Sequence, residues 1–134
     1  MKKDFSTSWK GSKLPRKQRK YLAKAQQHTR QKMLSAHLSK DLRKKYGRRS
    51  FQIKSGDTVR IMEGEYYGKT GKINKINFSK LKVAVEGIQI AKKDGSKVNV
   101  YISPSKLMIT ELNIEDKKRL KSISKTEKKP EDKK

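Results

Sequence analysis

The side chains with the most evident chemistry in this sequence are lysines and arginines, whose cationic groups bind phosphate oxygens. They cluster in the first 50 residues, which hold 17 Lys and Arg against 2 acidic residues. Such contacts set the affinity and position of a nucleic acid but read no base sequence. The candidate phosphate-binding residues are Arg16, Lys17, Arg19, Lys20, Arg30, Lys32, Lys40, Arg43, Lys44, Arg48, Arg49, Lys69, Lys72, Lys92, Lys93 and Lys106.

Residue patterns that support catalysis or metal binding are missing from the sequence. Glu63 and Glu65 could form an acid–base pair, but they flank a glycine in a polar loop without the apolar shielding that such a pair requires. The serines form no nucleophile motif, and the glycines form no phosphate-binding P-loop. His28 and His37 have no neighbouring carboxylate cluster, and the chain has no cysteine. We therefore expect no enzyme activity, no cofactor and no metal site.

Length and composition predict one small core with basic extensions. The chain has 134 residues, of which 31% are hydrophobic, and its net charge is +24. A protein this basic suits a polyanionic partner, most often a nucleic acid, with an anionic membrane surface as the other possibility. No apolar run approaches the about 18 residues that a spanning helix needs, so we expect no membrane span.

A glycine-rich turn between short strands is the most specific local pattern. Val59 and Ile61 alternate with polar residues, which is typical of a half-buried strand. Gly64, Gly68 and Gly71 follow closely, and this density predicts a tight turn that needs positive φ or close backbone approach. Extended patterns resume over residues 72–76 and 81–85.

This spacing, Gly56-Asp-x-Val-x-Ile followed by Gly68-x-x-Gly71-x-Ile73, resembles the KOW motif of small SH3-like barrels. The resemblance implies a mainly β fold, with a small SH3-like barrel over residues 51–112 and the KOW turn at Gly64, Gly68 and Gly71. Apolar alternation on both sides of Asp94-Gly95 predicts a long β-hairpin over residues 88–102.

The chain on either side of this unit is predicted to be helical or irregular. Residues 1–50 form a basic N-terminal arm, with disorder over 1–14 in the isolated protein, a helix over 23–34 and a second helix from the N-cap Ser39 to Gly47. Phe5 and Trp9 either stack on unpaired bases or pack against protein, and the second reading is favoured. Residues 113–134 are expected to form a short helix through Ile123 and then a disordered charged tail.

Residues 38–50, 56–86 and 104–110 together resemble the KOW-domain protein family of the large ribosomal subunit, numbered twenty-four in bacteria and twenty-six in eukaryotes. The basic arm and long hairpin are similar to those of eukaryotic and archaeal members. The resemblance implies a structural constituent that binds the 5′ portion of large-subunit rRNA, joins early in assembly and lies near the exit of the nascent-chain tunnel.

The implied partners are this rRNA, neighbouring large-subunit ribosomal proteins and nascent-chain factors at the tunnel exit. The implied location is the cytoplasmic ribosome, with nuclear and nucleolar passage if the protein is eukaryotic. One departure is that Glu63-Gly64 and Tyr67-Gly68 stand where eukaryotic relatives tend to have Arg-Gly and Lys-Gly. Acid is therefore expected beside the RNA-facing surface.

Two other functions remain open from the sequence. A KOW-type transcription elongation factor usually joins the motif to another domain, for which 134 residues leave little room. A stand-alone basic RNA-binding or chromatin protein would explain the charge but not the three matching stretches.

Overall fold

In the computed structural model, residues 4–116 and 118–119 are described. Its helices are α1 (Pro15–Lys24), α2 (Gln27–Met33) and α3 (Lys40–Tyr46), and single 3-10 turns lie at Thr7–Gly11 and Pro104–Lys106. The strands are β1 (Ser35–Leu38), β2 (Ser50–Gln52), β3 (Thr58–Ile61), β4 (Thr70–Asn77), β5 (Lys82–Ala91), β6 (Lys97–Ile102) and β7 (Leu107–Glu111).

All seven strands form one mixed sheet in the order β2-β1-β7-β3-β4-β5-β6. Neighbours are antiparallel except β1 and β7, which are parallel. The predicted mainly β fold is confirmed. The hydrogen-bonded order is open in the described part of the chain, because β2 and β6 lie at its two ends and do not pair with each other.

The centre of the core lies where β3 packs beside β7. Val59 lies directly opposite Ile109, and Ile61 lies opposite Leu107. All four side chains are at most 1% exposed. The period-two alternation in β3 therefore reflects one face turned to the core and one to solvent, as the sequence predicts.

The helix predicted over residues 23–34 is wrong in its bounds, because α1 starts earlier and a break separates it from α2. Ala25 and Gln26 have extended ψ angles of 132° and 158°. The Arg30 side chain donates hydrogen bonds to the carbonyl oxygens of Ala23 and Ala25, at 2.8 and 2.9 Å. These carbonyls lie at the end of α1 and have no acceptor role inside the helix, so Arg30 stabilises the break.

The sequence analysis predicts no strand at Ser35–Leu38, where the structure has β1. It pairs with β2, placing Ala36 opposite Phe51, and runs parallel to β7, placing Leu38 opposite Ile109. Leu34, Ala36 and Leu38 are buried in the same core as the later strands. Residues 34–38, predicted from the sequence to belong to the arm, are therefore part of the sheet and its core.

The described part of residues 1–14, for which disorder in the isolated protein is expected, contains local structure. Thr7–Gly11 forms a 3-10 turn packed on α1. The Gln18 amide donates to the carbonyl oxygens of Trp9 and Ser12, at 3.3 and 2.6 Å. Phe5 stacks on Tyr21 with ring centroids 5.3 Å apart, so this aromatic residue packs against protein.

The hairpin predicted over residues 88–102 is present as β5 and β6. β5 also contains the third predicted strand, because it continues through a bend at Gly87, whose φ is +79°. The β5–β6 register shifts between Ala84 and Gln89, on either side of this bend. At the tip, Gly95 has φ +81°, as a tight turn requires.

After β7, residues 113–116 are not helical, so the helix expected to start at Asn113 does not start there. Residues 118–119 are helical. The remainder of that predicted helix and the tail predicted for residues 126–134 lie outside the described residues.

Candidate nucleic-acid interface

Helix α1 presents a cationic surface because its other side is anchored. Pro15 occupies the first turn, where its missing N–H costs nothing. Tyr21 is buried and Gln18 is held by backbone carbonyls of the 3-10 turn. The remaining side carries exposed cations, namely Arg16, Lys17, Arg19, Lys20 and Lys24. Lys20 also lies over the Trp9 ring, 5.2 Å from its centroid.

Helix α3 has the N-cap and C-cap that the sequence predicts. The Ser39 hydroxyl accepts a hydrogen bond from the Leu42 N–H at 3.3 Å, and Gly47 takes the left-handed conformation with φ 60°. Lys40 and Lys44 are exposed. Arg43 is half-buried, and its Nε donates to the Leu38 carbonyl at 2.8 Å, so it joins α3 to β1.

The turn between β3 and β4 uses its three glycines in two ways. Gly64 and Gly68 have φ angles of +102° and +81°, which other residues adopt at a cost. Gly71 instead packs closely, since a Cβ there would lie 2.7 Å from the Glu86 carbonyl oxygen and 2.9 Å from Val85 Cγ1. Both reasons for dense glycines that the sequence suggests therefore operate, at different positions.

Charges around this β3–β4 turn are mixed. Lys72 is exposed, and the Lys69 ammonium lies 5.2 Å from the centroid of the Tyr66 ring. Lys106 forms an ion pair with Glu63 at 3.4 Å. The acid expected beside the RNA-facing surface is thus partly neutralised from within the protein.

The hairpin tip carries exposed Lys92 and Lys93 beside Asp94. The Asp94 carboxylate accepts hydrogen bonds from the Ser96 hydroxyl and backbone N–H, at 2.7 and 2.9 Å. These hydrogen bonds, the one from the hydroxyl above all, lower the pKa of Asp94 below its ordinary value of 3.8. The Asp94 carboxylate therefore stabilises the turn at the hairpin tip.

Twelve of the sixteen candidate cations are exposed, and four are half-buried. Each half-buried cation has an internal partner: Arg30 and Arg43 bind carbonyls, Arg48 lies 5.6 Å from the Phe51 ring centroid, and Lys106 pairs with Glu63. The structure brings Lys32 and Arg48 together in one cavity. Most of the others lie in groups on α1, α3, the β3–β4 turn and the hairpin tip.

A family model for the ribosomal proteins called L26 in eukaryotes and L24 in archaea matches residues 12–126. The chain belongs to this family. The match includes α1, every strand of the sheet and the segment after β7. The predicted large-subunit ribosomal family, of the eukaryotic and archaeal type, is confirmed.

Membership defines the general role of this L26-family protein. It is a structural component of the large ribosomal subunit, with rRNA and other ribosomal proteins as partners, on the ribosome in the cytoplasm. Its family is structural rather than enzymatic. This assignment favours the ribosome over the transcription elongation factor and the chromatin protein considered from the sequence.

A buried ion pair between Asp57 and Arg119, which are 0% and 3% exposed, was not predicted from the sequence. Arg119 Nη1 and Nη2 donate to the two Asp57 carboxylate oxygens at 2.5 and 2.7 Å. Asp57 also accepts the backbone N–H groups of Lys54 and Asn113, both at 2.9 Å. The Gly56-Asp57 turn before β3 is a local signal for Asp57, whereas Arg119 lies 62 residues away and has none.

Other candidate chemistry is sparse within residues 4–116 and 118–119. There, no group of three or more His, Asp or Glu side chains could hold a metal ion. His28 is exposed on α2, and His37 lies in β1. Of the helices in that part of the chain, none has both the length and the apolar character needed to cross a membrane.

Proposed function

We propose that this member of the L26 family binds the 5′ portion of large-subunit rRNA early in assembly. The observation that carries the proposal is the placement of exposed cations on separate elements of one chain in a large-subunit ribosomal family: α1, α3, the β3–β4 turn and the hairpin tip. Cations spread in this way contact several backbone segments of a folded RNA, which is recognised by its shape.

The exposed cations are the proposed phosphate contacts. They are Arg16, Lys17, Arg19, Lys20, Lys32, Lys40, Lys44, Arg49, Lys69, Lys72, Lys92 and Lys93. The half-buried Arg30, Arg43, Arg48 and Lys106 contact RNA only with the part of the side chain that their internal partners leave open. We propose that Arg30, Arg43 and Lys106 contribute less to affinity than the exposed group.

Three segments have different roles in this proposal. Residues 1–50 form a basic arm that supplies most of the charge, although β1 within it is part of the sheet. Residues 51–112 form an SH3-like barrel of the KOW type, whose β3–β4 turn and hairpin of residues 88–102 read RNA shape. After β7, Arg119 closes the unit through its contacts with Asp57, and the sequence that follows it is rich in charged residues.

We also propose a position near the exit of the nascent-chain tunnel, where nascent-chain factors dock. In a eukaryotic cell the protein would first pass through the nucleus and nucleolus. The basic run over residues 15–20 supports this passage, because compact basic runs act as nuclear-import signals.

The test is sedimentation of the tagged full-length protein with ribosomal particles through a high-salt gradient, followed by chemical footprinting of the rRNA. We expect stoichiometric co-migration with large subunits and with their early precursors, and protection in the 5′ portion. Cross-linking to a stalled nascent chain tests the tunnel position. Protection confined to the 3′ portion, or co-migration with RNA polymerase or chromatin instead, would contradict the proposal.

A further inference from the structure

Two adjoining cavities lie beside the β1–β2 ladder and share Gln52. The larger has a volume of about 520 Å³ and is lined by apolar side chains, two amides, a lysine and a serine: Leu34, Ile53, Ile76, Phe78, Gln31, Gln52, Lys54 and Ser55. The smaller has a volume of 340 Å³ and is lined by Lys32, Ser35, Arg48, Ser50, Phe51 and Gln52. No motif in the sequence predicts this pair of cavities.

Strand register brings the polar side chains to the same face. Ser35 lies opposite Gln52, and His37 lies opposite Ser50, while the intervening pair of Ala36 and Phe51 is buried behind them. Helix α2 ends at Met33, directly before β1. Its last turn therefore places Gln31 at the rim of the larger cavity and Lys32 at the smaller.

The smaller cavity has the chemistry of a phosphate site. Among the described residues, its lining contains two cationic side chains and two hydroxyls but no carboxylate. The Arg48 guanidinium lies over the Phe51 ring, 5.6 Å from its centroid, which limits its freedom before any ligand binds. A planar guanidinium donates to phosphate oxygens in a fixed geometry, and hydroxyl groups complete the set of donors.

The larger cavity has the chemistry of a site for a flat aromatic ring with polar edges. The half-buried Phe78 ring lines it beside aliphatic side chains, and aromatic rings of this kind stack on unpaired bases. The amides of Gln31 and Gln52 each offer donors and an acceptor for hydrogen bonds to a base edge. Its volume lies within the about 300–1,000 Å³ of small-ligand sites.

The charges around the two cavities determine which way a ligand would lie across them. Lys54 lines the larger cavity, but its ammonium forms an ion pair with Asp116. The described part of the chain thus offers no free cation in the larger cavity, whereas Lys32 and Arg48 lie on the opposite side of Gln52. A ligand with an anionic group and a flat ring would place its anion beside Lys32 and its ring beside Phe78.

We propose that the two cavities together bind one unstacked nucleotide of the large-subunit rRNA, with its phosphate in the smaller cavity and its base in the larger. This inference rests on the proposed rRNA binding. A nucleotide is favoured over an acidic, aromatic protein segment because one nucleotide carries both groups at adjacent positions. The family also has rRNA as its partner.

The first test is photo-cross-linking in isolated large subunits that contain the full-length chain with benzoylphenylalanine in place of Gln31, an exposed position at the rim. We expect a cross-link to rRNA that stops primer extension at one unpaired nucleotide. The matched control has benzoylphenylalanine in place of Ile114, which is exposed and lines neither cavity. A cross-link to protein, stops scattered over many nucleotides, or no cross-link at all would overturn the inference.

The second test compares binding of an in-vitro transcript of the 5′ portion of the rRNA. Phe78→Leu keeps apolar volume but removes the stacking ring, and we expect about tenfold weaker binding, whereas Phe78→Tyr should bind as the wild type does. Gln52→Ala should weaken binding several-fold, while the control Ile114→Ala, at an exposed residue outside the proposed contacts, should leave it unchanged. Equal binding by all variants would overturn the inference but leave rRNA binding standing. Failure of the wild-type chain to bind the transcript would instead contradict the proposed function.

Discussion

At the scale of single residues, the Asp57–Arg119 pair is the contact with the largest expected effect on stability. The Arg119 side chain donates to Asp57, to the Asn113 carbonyl at 2.9 Å and to the Gln52 carbonyl at 3.0 Å. It thereby joins β2, the start of β3 and the segment after β7. Because the pair is buried, removal of one partner leaves a charge without compensation, which costs far more than loss of a surface ion pair.

We predict that Arg119→Met lowers the free energy of unfolding by about 3–5 kcal/mol, since Asp57 would remain buried and unpaired. Urea denaturation of the full-length protein, followed by circular dichroism, measures this change. Lys118→Met is the matched control, because Lys118 is exposed and adjacent in the chain. A loss for Arg119→Met no larger than that of the control would show that the pair adds nothing to stability.

The close packing around Gly71 in β4 leads to a separate prediction about stability. Gly71→Ala would place a methyl group 2.7 Å from a backbone oxygen of Glu86, which cannot move without disturbing β5. We expect a loss of about 1–3 kcal/mol of stability from this overpacking. In the control Gly11→Ala, no atom of the described residues lies within 4 Å of the new methyl group, so the change should be close to neutral in the same denaturation experiment. An unchanged midpoint for Gly71→Ala would show that a methyl group at this position does not clash with Glu86.

Asp94 gives a pH-dependent prediction at the hairpin tip. Hydrogen bonds from Ser96 lower its pKa in the folded state, so its stabilising contribution is present above the ordinary pKa of 3.8 and is lost as the pH falls through the lowered value. In an NMR titration, Ser96→Ala should return the pKa of Asp94 towards 3.8, with little change at neutral pH in the rest of the sheet. A wild-type Asp94 that titrates at or above the ordinary value would contradict this.

At the scale of elements, β1 shows that the folded unit begins near residue 34, before the predicted start at residue 51. Its four residues contribute two buried side chains, Ala36 and Leu38, and α3 contributes Tyr46 to the same core. The strand also lies between β2 and β7 in the sheet. Residues 34–50 therefore belong with the later strands in folding, while α1 and α2 precede the sheet.

We predict that a chain of residues 34–134 folds with nearly the full stability of the intact protein. A chain of residues 51–134 should lose at least about 4 kcal/mol, because it lacks the buried side chains of Leu34, Leu38 and Tyr46. Thermal and urea denaturation of both truncated chains beside the full-length protein measures the difference. Equal stability of the two truncated chains would mean that β1 is dispensable to the core.

The elements that the sequence predicted are those with local signals. Asp94-Gly95 between alternating strands indicated the hairpin, and Ser39 with Gly47 indicated α3, because turn and cap preferences act within a few residues. β1 had no such signal, since its pairing depends on Met108 and Ile109, about 70 positions away in the chain. The break after α1 likewise depends on the Arg30 side chain, whose contacts its residue type does not reveal.

The same distinction applies to the candidate site. Residue type indicated sixteen candidate cations, of which twelve are exposed. It could not reveal that Arg30 and Arg43 bind carbonyl oxygens inside the protein. Nor could it bring Ser35, Ser50 and Gln52 together, because they meet only through the register of β1 and β2.

At the scale of the whole molecule, charge and fold are largely separated along the chain. Residues 1–33 hold 11 Lys and Arg against one acidic residue, and all of them precede β1. Each phosphate that a cation neutralises releases about 0.7–0.9 of a counterion. The slope of the logarithm of the binding constant against the logarithm of the salt concentration therefore gives the number of phosphate contacts. We therefore predict that a large share of the rRNA affinity depends on a segment that contributes little to the sheet.

The most direct test of this central claim is filter binding of the 5′ rRNA transcript by the full-length chain and by residues 34–134 across a salt series. Five exposed candidates lie before β1: Arg16, Lys17, Arg19, Lys20 and Lys32. Deletion of residues 1–33 should flatten the log–log salt slope by about 3–5 units, while selectivity for the cognate transcript falls less than affinity. A truncated chain that is folded by circular dichroism and keeps the full salt slope would place the binding surface on the sheet and contradict the claim.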